Sequence, residues 1–249
     1  MLLITYKAIA ALFIFLISIT TVIYPLKKKH THVESLEWGE ALASGIFLGV
    51  AFFHMLPNAI QTFQLLYPTT TYPIPEVICM GSFLLMLFLE RLSFIPVFNQ
   101  QYAVPYILAL ILIIHSLTEG AALGVGETLT ETLIIFIAII AHKGSASFAL
   151  CVTLMRHRIP LSRIILTIFI FSLMTPIGIG FGTMINLETQ SDHGMLIEAF
   201  FDAFAAGTFL YVSTLHHIRF HHEDSSHGLS QFACLSIGLF VMGLVAFVI

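Results

Sequence analysis

Residues 102–124 read Tyr-Ala-Val-Pro-Tyr-Ile-Leu-Ala-Leu-Ile-Leu-Ile-Ile-His-Ser-Leu-Thr-Glu-Gly-Ala-Ala-Leu-Gly. At 1.5 Å per residue a helix of this length spans a hydrocarbon core of ~30 Å. The stretch is apolar all round, so it has no face suited to water. Its few polar residues, His115, Ser116, Thr118 and Glu119, sit together near the middle.

The rest of the chain repeats the pattern. Of 249 residues, 58% are hydrophobic and 10% are charged, and the mean hydropathy is +0.96. Soluble domains carry about 25% charged residues, so lipid is the solvent of this chain. Backbone groups in lipid must be satisfied internally, by helices or a closed barrel. The apolar runs are of helix length, not the ~10-residue alternating strands of a barrel. The fold expected is an all-α membrane protein with eight transmembrane helices. The spans fall at about 5–25, 38–62, 76–97, 102–124, 130–154, 162–185, 195–217 and 228–249, and form a single transmembrane domain over 1–249. Turn residues mark the breaks: Pro68, Pro73, Pro96, Gly124, Gly126 and Pro160. The first run, Ala8 to Tyr24, is followed by Lys27, Lys28 and Lys29 rather than by a small-residue cleavage site, and reads as a retained span.

Basic residues set the orientation. With the N-terminus outside, the inner loops hold Lys27 to Lys29, then Arg156, Arg158 and Arg163, then Arg219, with Arg91 near an inner end. Lys7 alone lies outside. The positive-inside rule therefore places both termini outside, in a plasma or bacterial inner membrane. The partner expected is the bilayer, with no nucleic acid and a homodimer as an option. Cys79, Cys151 and Cys234 lie in apolar runs without CxxC spacing and read as free buried thiols.

Ionisable groups near the midplane cost at least ~2.5–3.5 kcal/mol each. His115 and Glu119 are four apart and share a helix face. The next span carries His142-Lys143-Gly144-Ser145. His115 lies about 13 residues from the inner end of its span and His142 about 12, which puts both roughly 18–20 Å above the inner edge. Two imidazoles and a carboxylate at one level are a ligand set for a first-row divalent metal, with Ser116 or water to complete it. A polar cluster that merely joins helices is the plainer alternative. No HExxH motif is present. An intramembrane zinc hydrolase would need a further carboxylate, for which Asp202 is the only obvious candidate, too far outward by position. A metal sensor without flux is the third reading.

Other polar positions extend the pattern. His54 in Phe52-Phe53-His54-Met55-Leu56-Pro57-Asn58 and Asp202 in the seventh span are placed along a path to the midplane. Lys143 and Ser145 stand beside the ligands. His216, His217, His221, His222 and His227, with Glu223 and Asp224, suggest a metal-binding inner loop. Pro176, Gly178, Gly180 and Gly182 read as close-packing elements of the sixth span.

These residues resemble the ZIP (Zrt-, Irt-like protein) family of divalent metal transporters. The pattern H-[SN]-x-x-[ED]-G stands as His115 to Gly120, and H-K-x-x-x-[AS]-x-[SA]-L as His142 to Leu150. The second-span pattern surrounds His54 and Pro57, and A-A-G-T-F-L-Y-V runs intact from Ala205 to Val212. The resemblance implies a 3+2+3 inverted-repeat bundle, no enzymatic activity and no catalytic cofactor. It implies metal uptake into the cytosol, and the ligand set prefers zinc without excluding Fe²⁺, Mn²⁺, Co²⁺ or Cd²⁺. It implies a transport site of His115, Ser116, Glu119 and His142, with His54 beside the pathway. The chain departs from many relatives at Thr118, where they have Pro, and at Ala146, where they have Glu. It also departs at Lys143, where some have a second metal ligand, and at His216, where Glu is common. Lys143 is similar to the subgroup with His-Lys and no fifth-span Glu, and occupies the place of a second cation.

Overall fold

Long apolar segments that must close their own backbone hydrogen bonds become rods, and the protein is a bundle of them. The structure, a computed structural model, describes residues 2–28, 34–92, 100–185, 192–216 and 228–247. Helix α1 is Leu2–Lys28. Helix α2, Glu34–Val50, passes through a π turn, Ala51–Met55, into α3, Leu56–Leu66, as one continuous rod. Then come α4 (Ile74–Leu92), α5 (Gln100–Val125), α6 (Leu129–Arg156) and α7 (Leu161–Ile185). Helix α8, Asp192–Tyr211, ends in a second π turn, Val212–His216, and α9 is Gly228–Ala246. Among the described residues there is no strand.

Seven of the eight rods are long and apolar enough to cross a membrane. The eighth, α4, has 19 residues and carries Glu76 in its first turn and Glu90 and Arg91 near its end. Its three charges sit at the two ends, and it is this charge rather than any lack of apolar residues that sets it apart from the other rods. The expected span at 76–97 is thus a shorter helix within the described residues.

The π turns have local causes. Pro57 has no N–H and its ring clashes with the carbonyl four residues back. The widened turn just before it, in which the Leu56 N–H reaches Ala51 O, relieves that conflict. Near the second π turn, the Ser213 and Thr214 hydroxyls both donate to Leu210 O, at 3.1 and 2.6 Å. Such side-chain bonds compete with the backbone ladder.

The rods sort into two groups. In the first, α5 lies along α7 and α1 along α6, with α1 also against α7. In the second, α2 lies along α9 and α8 packs on α3 and α4. The groups meet chiefly where α2 crosses α6 and where α5 touches α8. Within the first group α5 and α7 approach backbone to backbone. A Cβ on Gly178 would collide with Leu117 O, and one on Gly120 with Thr175 O. Small residues permit this approach in membranes. Lys7, buried in α1, donates to Gly124 O at 2.6 Å and ties α1 to the end of α5.

The turn from α5 to α6 is short and capped. Thr128 Oγ1 accepts from the Glu131 N–H at 3.2 Å, and Glu131 Oε2 accepts from the Glu127 N–H at 3.2 Å. This reciprocal cap fixes where α6 starts, and so the level of His142 relative to α5.

The glycine seam is tested by a pair of substitutions. Gly178→Ala forces its Cβ into a backbone oxygen and is expected to cost about 1–3 kcal/mol, read as a lowered melting temperature in detergent. Gly180, which faces open space, should accept Ala with no loss. Equal effects at both positions would contradict the seam.

Candidate metal centre

Because α5 and α6 are antiparallel neighbours, the His115/Glu119 face of one meets His142 of the other. The depth arithmetic set the two imidazoles at one level, and their ring centroids are 6.0 Å apart. Glu119 Oε1 lies 2.8 Å from His115 Nε2 and 2.6 Å from His142 Nε2. One ligand atom from each of the three residues lies within 4.8 Å of the others. Among the described residues this is the one group of three or more His, Cys, Asp or Glu side chains so arranged.

The hydrogen bonding shows which atoms face the centre. His142 Nδ1 donates to Ala138 O at 2.8 Å. In a neutral ring this leaves Nε2 as a lone pair directed at the carboxylate. A lone pair and a carboxylate oxygen at 2.6 Å attract only with a positive charge between them, a proton or a metal ion. The His115 contact is close without the alignment of a hydrogen bond, and His115 Nδ1 and Glu119 Oε2 are buried without one among the described residues. The cluster is a set of acceptors with spare capacity. His115 is 4% and His142 1% exposed, so a cation held here would be out of bulk water.

Lys143, one residue on, points elsewhere. Its ammonium donates to Ser116 Oγ at 2.6 Å and to Thr175 Oγ1 at 2.7 Å. It sits 4.4 Å from the centroid of Phe171, a cation–π distance. It is 1% exposed, a buried charge with two hydroxyl partners and a ring face. The structure thus brings Ser116 to Lys143. Ser145 Oγ donates to His142 O at 2.7 Å, a bond within its own helix. Thr118 likewise donates to His115 O at 2.8 Å.

On the facing group, Phe209 of α8 closes over the imidazoles. Its ring centroid is 5.5 Å from that of His115 and 6.4 Å from that of His142, with Phe47 behind it at 4.8 Å. A cavity of about 30 Å³ beside His115 is lined by Ile111, Ile114, Phe201, Phe204 and Ala205. His54 lies in the first π turn, within electrostatic reach of His115, Glu119 and His142. Asp202 Oδ2 accepts from Asn58 Nδ2 at 2.6 Å, which ties α8 to α3.

Of the candidate inner loop, His217, His221, His222 and His227 lie outside the described residues, and His216 ends the second π turn. The three cysteines are free, Cys79 and Cys151 buried and Cys234 partly so. Sequence reasoning missed Thr175, Phe171 and Phe209. Thr175 was signalled only by its place before Pro176, and Phe209 only by its place in the quoted seventh-span string.

The comparisons with known proteins agree with one another. The sequence profile of the family described as ZIP Zinc transporter matches residues 1–97 and 95–246. A protein named Zinc transporter ZIP1 from Takifugu rubripes is 29% identical over 264 residues, covering 87% of this chain and 86% of its own. Zinc transporter ZIP2 of Homo sapiens is 24% identical, covering 82% and 83%. Zinc transporter ZIP1 of Danio rerio is 34% identical over 57% of this chain and 47% of its own.

The Lys143 cradle makes a thermodynamic prediction. Ser116→Ala with Thr175→Val strips both hydroxyls from a buried ammonium, at about 1–3 kcal/mol for each lost bond. In that background Lys143→Met removes the uncompensated charge and should raise the melting temperature, whereas in the wild type it should not. A Lys143→Met effect of the same size and sign in both backgrounds would refute the coupling.

Proposed function

The chain belongs to the ZIP zinc transporter family, and from that premise we propose that it carries zinc into the cytoplasm through a site made by His115, Glu119 and His142. As a member it is an integral membrane transporter of divalent metal, zinc. The observation that carries the site is the single Glu119 oxygen facing both imidazole Nε2 atoms, at 2.8 and 2.6 Å.

Two neutral imidazoles and one carboxylate neutralise half the charge of a divalent ion. Three protein ligands hold zinc without enclosing it, and the fourth position is left to Ser116 or to water. Such a site binds well enough to collect the ion and loosely enough to release it. The same donors accept Fe²⁺, Mn²⁺, Co²⁺ and Cd²⁺. Lys143 is a fixed second cation close by. An ammonium ligates no metal, so one ion occupies the site at a time, and no catalytic cofactor is required. Asp202 with Asn58, then His54, form the approach from the outer side, with Ser145 beside the ligands. His216, His217, His221, His222 and His227 receive the ion at the inner mouth.

Orientation follows from the basic residues, with both termini outside and Arg156, Arg158 and Arg163 in the cytoplasm. The 3+2+3 inverted repeat, with residues 1–249 as one transmembrane domain, draws support from the packing. Counting α2 and α3 as the second span, an inverted repeat relates spans one to three to spans six to eight, and span four to span five. The α5–α7 contact then corresponds to α6–α1, and α2–α9 to α8–α4, as the packing has them. The two π turns fall in the two related spans, the second and the seventh. Repeats of this kind alternate access around a midplane site. We place the protein in a plasma or bacterial inner membrane, with a homodimer as an option. A hydrolase would need a second carboxylate to activate water. Asp202, engaged by Asn58, is held on the other helix group, which favours transport.

Proteoliposomes with a zinc dye inside test this reading. Wild type admits zinc, while His115→Ala and Glu119→Ala reduce uptake at least about a hundredfold, more than the ~10–100-fold that loss of a ligand's outer partner costs. Folded wild type that admits none, under a potential or a pH gradient, would overturn it. Uptake at fixed free zinc should fall on acidification, because protons compete for the imidazole lone pairs. A flat profile from about pH 5 to 7.5 would contradict histidine ligation. Lys143→Ala should disturb transport, and normal flux with one bound zinc would leave the second-cation role without support.

A further inference from the structure

The zinc donors belong to the first helix group, and the Phe209 ring that covers them belongs to the second. An ion leaving the site therefore moves along the seam between the groups. Toward one end that seam is the contact of α2 with α6. There the Phe148 ring lies directly against Gly39, leaving no room for a Cβ. One residue further along α2, Arg156 Nε donates to Glu40 Oε1 at 2.8 Å and its NH2 group to Glu40 Oε2 at 2.5 Å. The two side chains are 19% and 15% exposed. This is a forked, two-bond contact with geometric specificity, partly withdrawn from water.

The placement is what distinguishes the pair. The interhelical bonds of Lys143, Ser147, Lys7 and Thr183 stay inside the first group. Those of Asn58 and Gln231 stay inside the second. The Arg156–Glu40 fork crosses between them, at the end of α6 remote from the capped α5–α6 turn.

We propose that Arg156 and Glu40 form a latch across the seam between the two helix groups, holding shut the end of the zinc path nearest Arg156 and parting whenever the site opens to that side. The path, and the assignment of that end to the cytoplasm, rest on the transporter reading above; the seam and the fork do not. With the fork closed, Phe148 stays packed on Gly39. With it open, α6 can draw away from α2 at Gly39. The pair is a positioning device and touches no ion.

The chain carries its own reporter. Cys151 is fully buried and lies three residues beyond Phe148, on the same side of α6. It stands about 14 Å past His142 and about 8 Å before Arg156 along the helix. In a Cys79→Ser/Cys234→Ser background in lipid nanodiscs, N-ethylmaleimide labelling of Cys151 reads how often the seam parts. Glu40→Gln is expected to speed labelling about five-fold, the factor for losing a pair worth ~1 kcal/mol. The exchanged pair, Glu40→Arg with Arg156→Glu, should return labelling toward the wild-type rate. Unchanged labelling in Glu40→Gln overturns the latch. So does fast labelling that the exchange fails to slow while melting temperatures fall together, which would mean general loosening. Labelling requires no zinc, so a wild type that transports none would sink the transporter reading and leave this test standing.

Discussion

A carboxylate held among apolar helices in lipid needs a positive partner, and Glu119 is placed to have two. One of its oxygens faces the Nε2 atoms of both His115 and His142. Much of the first helix group can be understood as the framework that keeps these atoms together. The capped turn at Thr128 sets the level of α6. The Ala138 carbonyl fixes the His142 ring. Lys143, the next residue along, is cradled by Ser116 and Thr175. Ser116 adjoins a candidate zinc ligand and Lys143 adjoins another, so the cradle and the donor set cannot move independently.

That framework depends on close helix approach. Thr175 reaches Lys143 because α7 lies against α5, and α7 lies there because Gly120 and Gly178 offer no Cβ to obstruct it. A second helix group, tied by Asn58–Asp202 and Gln231–Glu37, presents Phe209 to the imidazoles. The donors are thus rigid within one group and covered by the other, an arrangement suited to a site that must stay intact while its surroundings change.

Much of this was legible in the sequence. Hydropathy located the rods because backbone groups in lipid leave few options. The His115/Glu119 spacing and the equal depth of His142 followed from helix geometry alone. Charge rather than hydropathy sets α4 apart, with Glu76, Glu90 and Arg91 at its two ends rather than in the middle. Thr175 and Phe171 were not legible, since their relation to Lys143 comes from packing between helices distant in sequence. The Asp202–Asn58 bond was not legible for the same reason: position in the chain gives a depth, but not the neighbour across the bundle. The Arg156–Glu40 fork joins residues 116 apart, and no periodicity announces it.

In the transport reading zinc is held by His115, Glu119 and His142. X-ray absorption spectroscopy of the purified protein loaded with one equivalent of zinc tests it most directly. The account predicts a first shell of nitrogen and oxygen at about 2.0–2.1 Å with the outer scattering of two imidazoles, falling to one imidazole in His142→Ala. A sulfur shell at about 2.3 Å, or a spectrum unchanged by His142→Ala, would place the zinc elsewhere and contradict it.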